Sequence, residues 1–398
     1  MNKTWPFQSL QVLAEVFGDG DWIETKDQSP GGIRLVQTGN VGEGAFKDRG
    51  EKARYVSEAT FKRLGCTEIF EGDCLISRLP DPVGRSCLLP DTGERMITAV
   101  DCTIVRFNRS RMVPEFFNYY TQSHGYLTVV ETRTTGSTRK RISRSNLGEI
   151  PVPVPPLTEQ RRIVGILDEA FEGIATAKAN AEKNLQNARE VFDGYLDAAL
   201  SSESIHATER KFDELCDITS ALVDPRLPDC LDLVHVGAGN IESRTGRLCD
   251  LKTARDEGLI SGKFSFDRSM VLYSKIRPYL MKVARPNFDG LCSADIYPLA
   301  PRPGKMDRDY LFFLLLTKSF TDYAVKGSAR AGMPKVNREH LFEFKTQVPP
   351  LKVQVAISKR LDRVREVTVG LEVIYQEKLD ALDELKKSLL DRAFRGEL

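Results

Sequence analysis

The sequence predicts two tandem globular units of mixed α/β class, each followed by one long α-helix, with the two helices paired as an antiparallel coiled coil. Three observations carry this. VPPLTEQ at 154–160 returns as VPPLKVQ at 348–354, 194 positions on. The same register then holds without a gap for about 45 residues, and both stretches have helical hydrophobic spacing.

The register aligns Pro155, Pro156, Leu157 and Gln160 with Pro349, Pro350, Leu351 and Gln354. It continues through Ile163 with Ile357, Leu167 with Leu361, Asp168 with Asp362, Leu185 with Leu379, Leu196 with Leu390 and Ala199 with Ala393. In the first copy Ile163, Leu167, Ala170, Ile174, Ala177, Ala181, Leu185, Ala188, Phe192, Tyr195 and Ala199 follow three- and four-residue steps. That is a heptad seam with one extra four-residue step. The second copy places Ile357, Leu361, Val364, Leu371, Tyr375, Leu379, Leu382 and Leu389 on the matching face. Ile163, Leu167, Leu185, Ile357, Leu361 and Leu379 are therefore the expected helix-pairing residues. Prolines ahead of each copy end the preceding strand, because proline cannot continue a ladder. At about 1.5 Å per residue each helix would be a rod of roughly 65 Å. The expected boundaries are a globular unit at 1–155, a central spacer helix at 156–205, a second globular unit at 206–348 and a C-terminal helix at 349–398.

The globular units echo each other more faintly. LVQTGNV (35–41) matches HVGAGNI (235–241), and GDCLISR (72–78) matches SMVLYSK (269–275). EFFNYY (115–120) matches YLFFLL (310–315), and GSTRKRISRSNL (136–147) matches GSARAGMPKVNREHL (327–341) with three extra residues in the second. DCTIVRF and MVLYSKI read as strands, PEFFNYYTQ and RDYLFFLLLTKSF as helices. Duplication gives a pseudo-two-fold internal repeat. Gly39–Asn40 and Gly239–Asn240 read as tight turns in preference to amide groups that read adenine.

Composition narrows the function classes. With 398 residues, 41% hydrophobic and 28% charged, the chain is long enough for two or three folded domains. No apolar run approaches a membrane span, LFFLLL at 311–316 included. MNKTWPFQSLQVL has one lysine and no apolar signal core, so a cytoplasmic location is expected. Eight dispersed cysteines and four histidines make neither C-x-x-C spacings nor a cluster, which leaves no expected metal site. GLISGKF (258–264) has one residue too few between its glycines for a phosphate loop, and Phe264 stands where a hydroxyl would bind magnesium. VGEGAFKDRG (41–50) lacks dinucleotide-loop spacing, and no [DN]-P-P-[YF] tetrapeptide of amino-methyltransferases is present. No catalytic residues and no cofactor in this chain are expected.

The net charge of +1 hides local excess. From Glu131 to Asn146, Arg133, Arg139, Lys140, Arg141 and Arg144 outweigh one acid, for +4. From Lys326 to Arg338 the four bases Lys326, Arg330, Lys335 and Arg338 face no acid, again +4. The helix at 158–200 carries −3. Gly136–Ser137 and Gly327–Ser328 would let the backbone approach a phosphate, while arginine and lysine supply charge and base readout. Arg78, Lys275 and Arg277 follow extended runs and join the candidate DNA-binding set. A coiled-coil adaptor with two protein-binding domains is the alternative. It predicts salt-insensitive partner binding, whereas phosphate contacts weaken steeply with salt.

With P-P-L-x-x-Q before each helix, the paired basic loops and the terminal LLDRAFRGEL, the whole chain resembles the specificity subunit of type I restriction–modification systems. The resemblance implies two target-recognition domains, each reading half of a split double-stranded DNA target. It implies helices that set the half-site spacing and dock two methyltransferase subunits, with restriction subunits in the full complex. S-adenosylmethionine and ATP would sit on those partners. The second copy has Val353 in place of Glu159 and no counterpart of the Arg139–Arg141 run, so the target would be asymmetric.

Overall fold

The computed structural model describes residues 5–136, 139–202, 207–218, 221–328 and 334–398. The chain divides into two compact units, residues 1–181 with 377–398, and residues 182–376. Each long helix therefore belongs partly to one unit and partly to the other. Eight helices organise the description: α1 Pro114–Tyr120, α2 His124–Thr132, α3 Arg144–Gly148, α4 Leu157–Ser202, α5 Arg308–Leu314, α6 Lys318–Lys326, α7 Arg338–Phe342 and α8 Leu351–Phe394.

In the first unit a four-stranded antiparallel sheet orders Ala14–Asp19, Cys102–Phe107, Cys74–Ser77 and Ser86–Leu88. A mixed five-stranded sheet contains the parallel pair Ile33–Val36 and Met96–Thr98, flanked by Arg54–Val56 and Glu68–Ile69. The second unit repeats both. Cys216–Asp217, Ile296–Pro301, Val271–Ser274 and Val283–Ala284 make its four-stranded sheet. Val234–Val236 and Gly290–Cys292 are its parallel pair. The fifth strand differs: Gln28–Ser29 joins Arg54–Val56 in the first unit, while Leu222–Val223 joins Lys263–Phe266, on the opposite edge, in the second.

A two-stranded ribbon leads into each long helix, Phe7–Ser9 with Pro151–Pro153 and Thr208–Lys211 with Lys345–Val348. The helix then starts on a buried glutamine. Gln160 Nε2 donates to the Pro155 carbonyl at 2.8 Å and the Arg111 carbonyl at 3.1 Å, while its Oε1 accepts from Val113 N at 2.8 Å. Gln354 repeats every bond: Pro349 O at 2.8 Å, Lys305 O at 2.9 Å and Asp307 N at 2.8 Å. All these partners are 194 residues apart.

The helices pair antiparallel within each unit. In the first, Ile163 and Leu167 share a core with Leu390 and Ala393, and Lys178 is ion-paired with Asp383. In the second, Ile357 and Leu361 share a core with Leu196, and Arg189 meets Glu372 at 2.9 Å. Leu185 and Leu379 are only half-buried. The expected seam is corrected at two places: Tyr195 and Leu371 are exposed, and Leu196 turns inward in place of Tyr195. The step from Ala188 through Phe192 lands on Leu196, so the seam drifts by one position there.

The expected helix at 308–320 is two helices. Thr317 breaks it, its hydroxyl accepting from Phe320 N to cap α6, as Ser123 caps α2. The three-residue insertion expected between the basic loops is absent. The pairs α2/α6 and α3/α7 both keep the offset of 194. Gly327 therefore corresponds to Arg133, each a helix C-cap, and not to Gly136. Asn40 and Asn240 do stabilise turns, accepting from Gln37 N at 3.0 Å and Gly237 N at 2.8 Å.

Replacing Gln160 or Gln354 with leucine should destabilise its unit by about 1–3 kcal/mol, the cost of leaving a buried backbone donor and two carbonyls short of a partner. Leu361→Ala should cost about 2–5 kcal/mol. Urea unfolding of the purified chain followed by circular dichroism checks both.

Candidate nucleic-acid interface

In the first unit the site lies where the chain crosses between the two sheets. Asp21 makes a parallel bridge to Ala99, and its backbone bonds Thr98 O at 2.8 Å and Val100 N at 2.9 Å. The crossing segments carry Asp19 and Asp101, and three basic segments converge on them. Arg141 Nη2 reaches Asp101 Oδ1 at 2.9 Å, Arg144 lies 3.9 Å from Asp19, and Arg78 lies 3.3 Å from Asp19. Thr135 and Arg141 exchange backbone bonds at 2.9 and 2.8 Å as an antiparallel bridge, which makes the base of a small hairpin.

The second unit rebuilds this arrangement. Lys335 Nζ lies 3.5 Å from Asp295 Oδ1, and both residues stand 194 positions after Arg141 and Asp101. Val336 N donates to Lys275 O at 2.8 Å, as Ile142 N donates to Arg78 O at 3.2 Å. Arg338, at the start of α7, occupies the place of Arg144 at the start of α3. Arg338, one of the four bases of the second basic segment, is not among the expected DNA-binding residues, because the insertion expected between the loops puts it out of register with Arg144. A constant offset of 194 would have found it, together with Asp101 and Asp295.

The other expected residues divide clearly. Arg139, Lys140, Arg141 and Arg144 are exposed, and Lys140 lies 3.8 Å from Glu131. Arg277 is exposed and Lys275 half-buried, its ammonium 4.9 Å from the centre of the Tyr297 ring. Burial and then the neighbouring Lys335 charge lower the Lys275 pKa. Four expected contacts are corrected to structural roles. Arg78 is only 5% exposed, and its Nη2 donates to the Val100 carbonyl at 2.6 Å. Burial lowers its pKa, partly offset by Asp19. Its guanidinium ties the strand end Cys74–Ser77 to the crossing and does not face outward. Ser328 is buried and donates from Oγ to Val325 O at 2.8 Å, closing α6. Gly327 accommodates the imidazole of His340, which stacks on Tyr323 at 4.1 Å, and a Cβ there would sit 1.9 Å from His340 Nε2. Gly136 has φ +100°, and a Cβ would come within 2.5 Å of Arg139 O, so it closes the hairpin. Ser137 and Arg330 lie outside the described residues.

No group of three or more histidine, cysteine or acidic side chains able to hold a metal is found among the described residues. Each unit instead offers a basic rim: Arg338 donates to the Ile218 carbonyl at 3.2 Å, while Arg141, Arg144 and Lys335 are loosely held by acids. Such pairs contribute little stability, roughly 0–1 kcal/mol, and exchange readily for phosphate oxygens.

The type I restriction modification DNA specificity domain model matches residues 2–186 and 243–380. The EcoDI type I restriction enzyme specificity subunit of Escherichia coli is 31% identical over 296 residues, 66% of this chain and 66% of that protein. The StySPI specificity subunit of Salmonella potsdam is 22% identical over 304 residues, 72% of this chain and 65% of that protein. The chain thus spans just under two thirds of the length of these curated relatives. In fold it is similar to a chain from a study of assembly and conformational transition of the type I R-M system, with TM-score 0.78, 17% identity and coverage of 99% and 98%. The HsdS subunit from Thermoanaerobacter tengcongensis aligns with TM-score 0.58, 17% identity and coverage of 99% and 97%.

Gly136→Ala should destabilise the first unit by about 1–2 kcal/mol through its left-handed backbone, and Gly327→Ala should destabilise the second by disrupting the Tyr323–His340 stack. Arg139→Ala or Lys140→Ala, at exposed positions, should change stability by no more than about 0.5 kcal/mol. Denaturant midpoints of the four variants separate structural glycines from ligand-facing cations.

Proposed function

The chain belongs to the type I restriction modification DNA specificity family, and from that premise we propose that it is the non-catalytic DNA sequence-specificity subunit of a type I restriction–modification enzyme. The observation that carries this reading is the basic rim built twice in one register, Arg141–Asp101 with Arg144 and Lys335–Asp295 with Arg338. A duplicated cationic surface suits two successive contacts on one duplex, with phosphates positioning it and side chains reading base edges.

On this reading residues 1–155 and 206–348 each recognise half of a bipartite, asymmetric target. Residues 156–205 and 349–398 set the spacing and dock two methyltransferase subunits. Asymmetry follows from unlike side chains at like positions. Arg141 can grip a guanine edge or a phosphate with two parallel bonds, whereas Lys335 presents one mobile point charge. S-adenosylmethionine would be held by the methyltransferase subunits and ATP by restriction subunits, leaving this chain to select where they act. Apolar side chains exposed on the helices, Val191 on α4 and Val367, Val373 and Ile374 on α8, are consistent with partner docking.

Co-expression with a methyltransferase subunit encoded beside it, followed by mapping of modified adenines, tests the reading. Methylation confined to one split, asymmetric motif is expected. Arg139→Ala with Arg141→Ala should impair recognition of one half while the complex still assembles, and should reduce the log–log salt slope of binding by roughly one to two. Unchanged methylation in that double variant would remove the first hairpin from the interface. Exchange of 206–348 should alter the other half alone.

A further inference from the structure

In the second unit one exposed aromatic side chain stands within the basic rim. The turn after the strand Val271–Ser274 runs Lys275-Ile276-Arg277-Pro278-Tyr279-Leu280-Met281-Lys282, with three bases and no acid. Two residues in it are left-handed without being glycine: Arg277 at φ +48°, ψ +59° and Met281 at φ +50°, ψ +47°. Side chains disfavour this region, and it persists only where the surroundings enforce it. Here the enforcement is visible. Arg277 N donates to Pro334 O at 2.9 Å, Met281 N donates to Pro278 O at 2.9 Å, and Met281 O accepts from Arg244 N at 3.1 Å. Pro278 and Met281 are buried on either side, and between them Tyr279 is turned outward, 54% exposed.

The position of that ring is informative. Ile276 bridges to Lys335, so the turn lies directly against the basic segment that carries Lys335 and Arg338. The corresponding turn of the first unit, Leu79–Gly84, carries Asp81 and no aromatic residue. An aromatic ring held out on an anchored turn, with exposed Arg277 two residues before it, suits a base face better than a phosphate. Each base offers a π-surface, and flanking charges hold the backbone while the ring stacks or wedges at a step.

We propose that Tyr279 is a base-contacting residue of the second recognition surface, its ring stacking on or wedging beside a base of the second half-site in double-stranded DNA. This rests on the chain's reading as a DNA-specificity subunit. The strained turn pre-orders the ring, so little side-chain freedom is lost on binding. The first half-site would be read without such a wedge.

The test uses the assembled complex of the full chain with its methyltransferase subunits, and a duplex bearing the motif found by methylation mapping. 2-Aminopurine is placed at each position of the second half-site in turn. The expected result is a fluorescence rise at one step on binding, lost in Tyr279→Ala and kept in Tyr279→Phe. Tyr279→Ala should weaken binding to the target about ten- to a hundredfold, leaving an unrelated duplex and the first half of the methylated motif unaffected. Wild-type affinity and signal in Tyr279→Ala would overturn the proposal. So would an equal loss on target and unrelated duplexes, a Phe variant as weak as Ala, or failure of the Ala variant to co-purify with the methyltransferase subunit. If the wild-type complex showed no preference for any motif, the specificity reading itself would fall, and the assignment of Tyr279 with it.

Discussion

One buried amide, present twice, holds the arrangement of globular unit and helix together. A glutamine with every polar atom satisfied inside protein can occupy only one position relative to its three partners. Those partners lie on the proline lead-in to the long helix and on the loop before α1 or α5. The helix therefore starts at a set angle to the unit it follows. Asp391 accepts from His124 N at 3.3 Å, and Asp197 accepts from Lys318 N at 3.3 Å, fixing the start of α2 and α6 on the opposite helix. The rim itself is tied to the strand ends by backbone bonds, Ile142 N to Arg78 O and Val336 N to Lys275 O.

On that common frame the two units diverge where divergence is least costly. The four-stranded sheets, caps and helix starts coincide, whereas the fifth strand changes edge and the turn after the rim strand changes from Leu79–Gly84 to Arg277–Met281. Both differences lie in loop-like segments carried by a rigid scaffold, where side chains change without disturbing the core. Replacing arginine by lysine at the repeated acid pair also changes hydrogen-bond geometry while keeping charge. The shared frame and the differences between the units thus sit on different residues.

Much of this was legible in the chain. The long helices were evident because a 3.6-residue period over 45 positions is a strong signal, and duplication made each copy a control for the other. Leu196 was missed because the seam drifts by one step, and helical spacing alone does not say which of two neighbours, Tyr195 or Leu196, turns inward. The basic loops were found by charge, but charge does not reveal burial. Arg78 reads like Arg141 in sequence, yet one closes a sheet crossing and the other faces solvent. Gly327 and Ser328 suggest a phosphate approach in the sequence because Gly-Ser recurs. Their real task, ending a helix beneath His340, depends on a ring 13 positions away. Tyr279 gave no signal of its own, since exposure of a single aromatic is set by the tertiary anchoring of its neighbours.

The division of the chain has a consequence for the order in which the protein is made. The second unit is continuous, from Glu182 to Gln376, and its parts emerge from the ribosome one after another. The first unit is not: Phe394 packs at 5.2 Å on Phe116 and 5.3 Å on Tyr120, and Leu390 and Ala393 complete the core around Leu167. Translation at about 5–20 residues per second leaves the earlier half waiting many seconds for its last strip of apolar surface. The half that is made first is thus the half that closes last, and until then its unfilled groove must be kept from other hydrophobic chains in the cell.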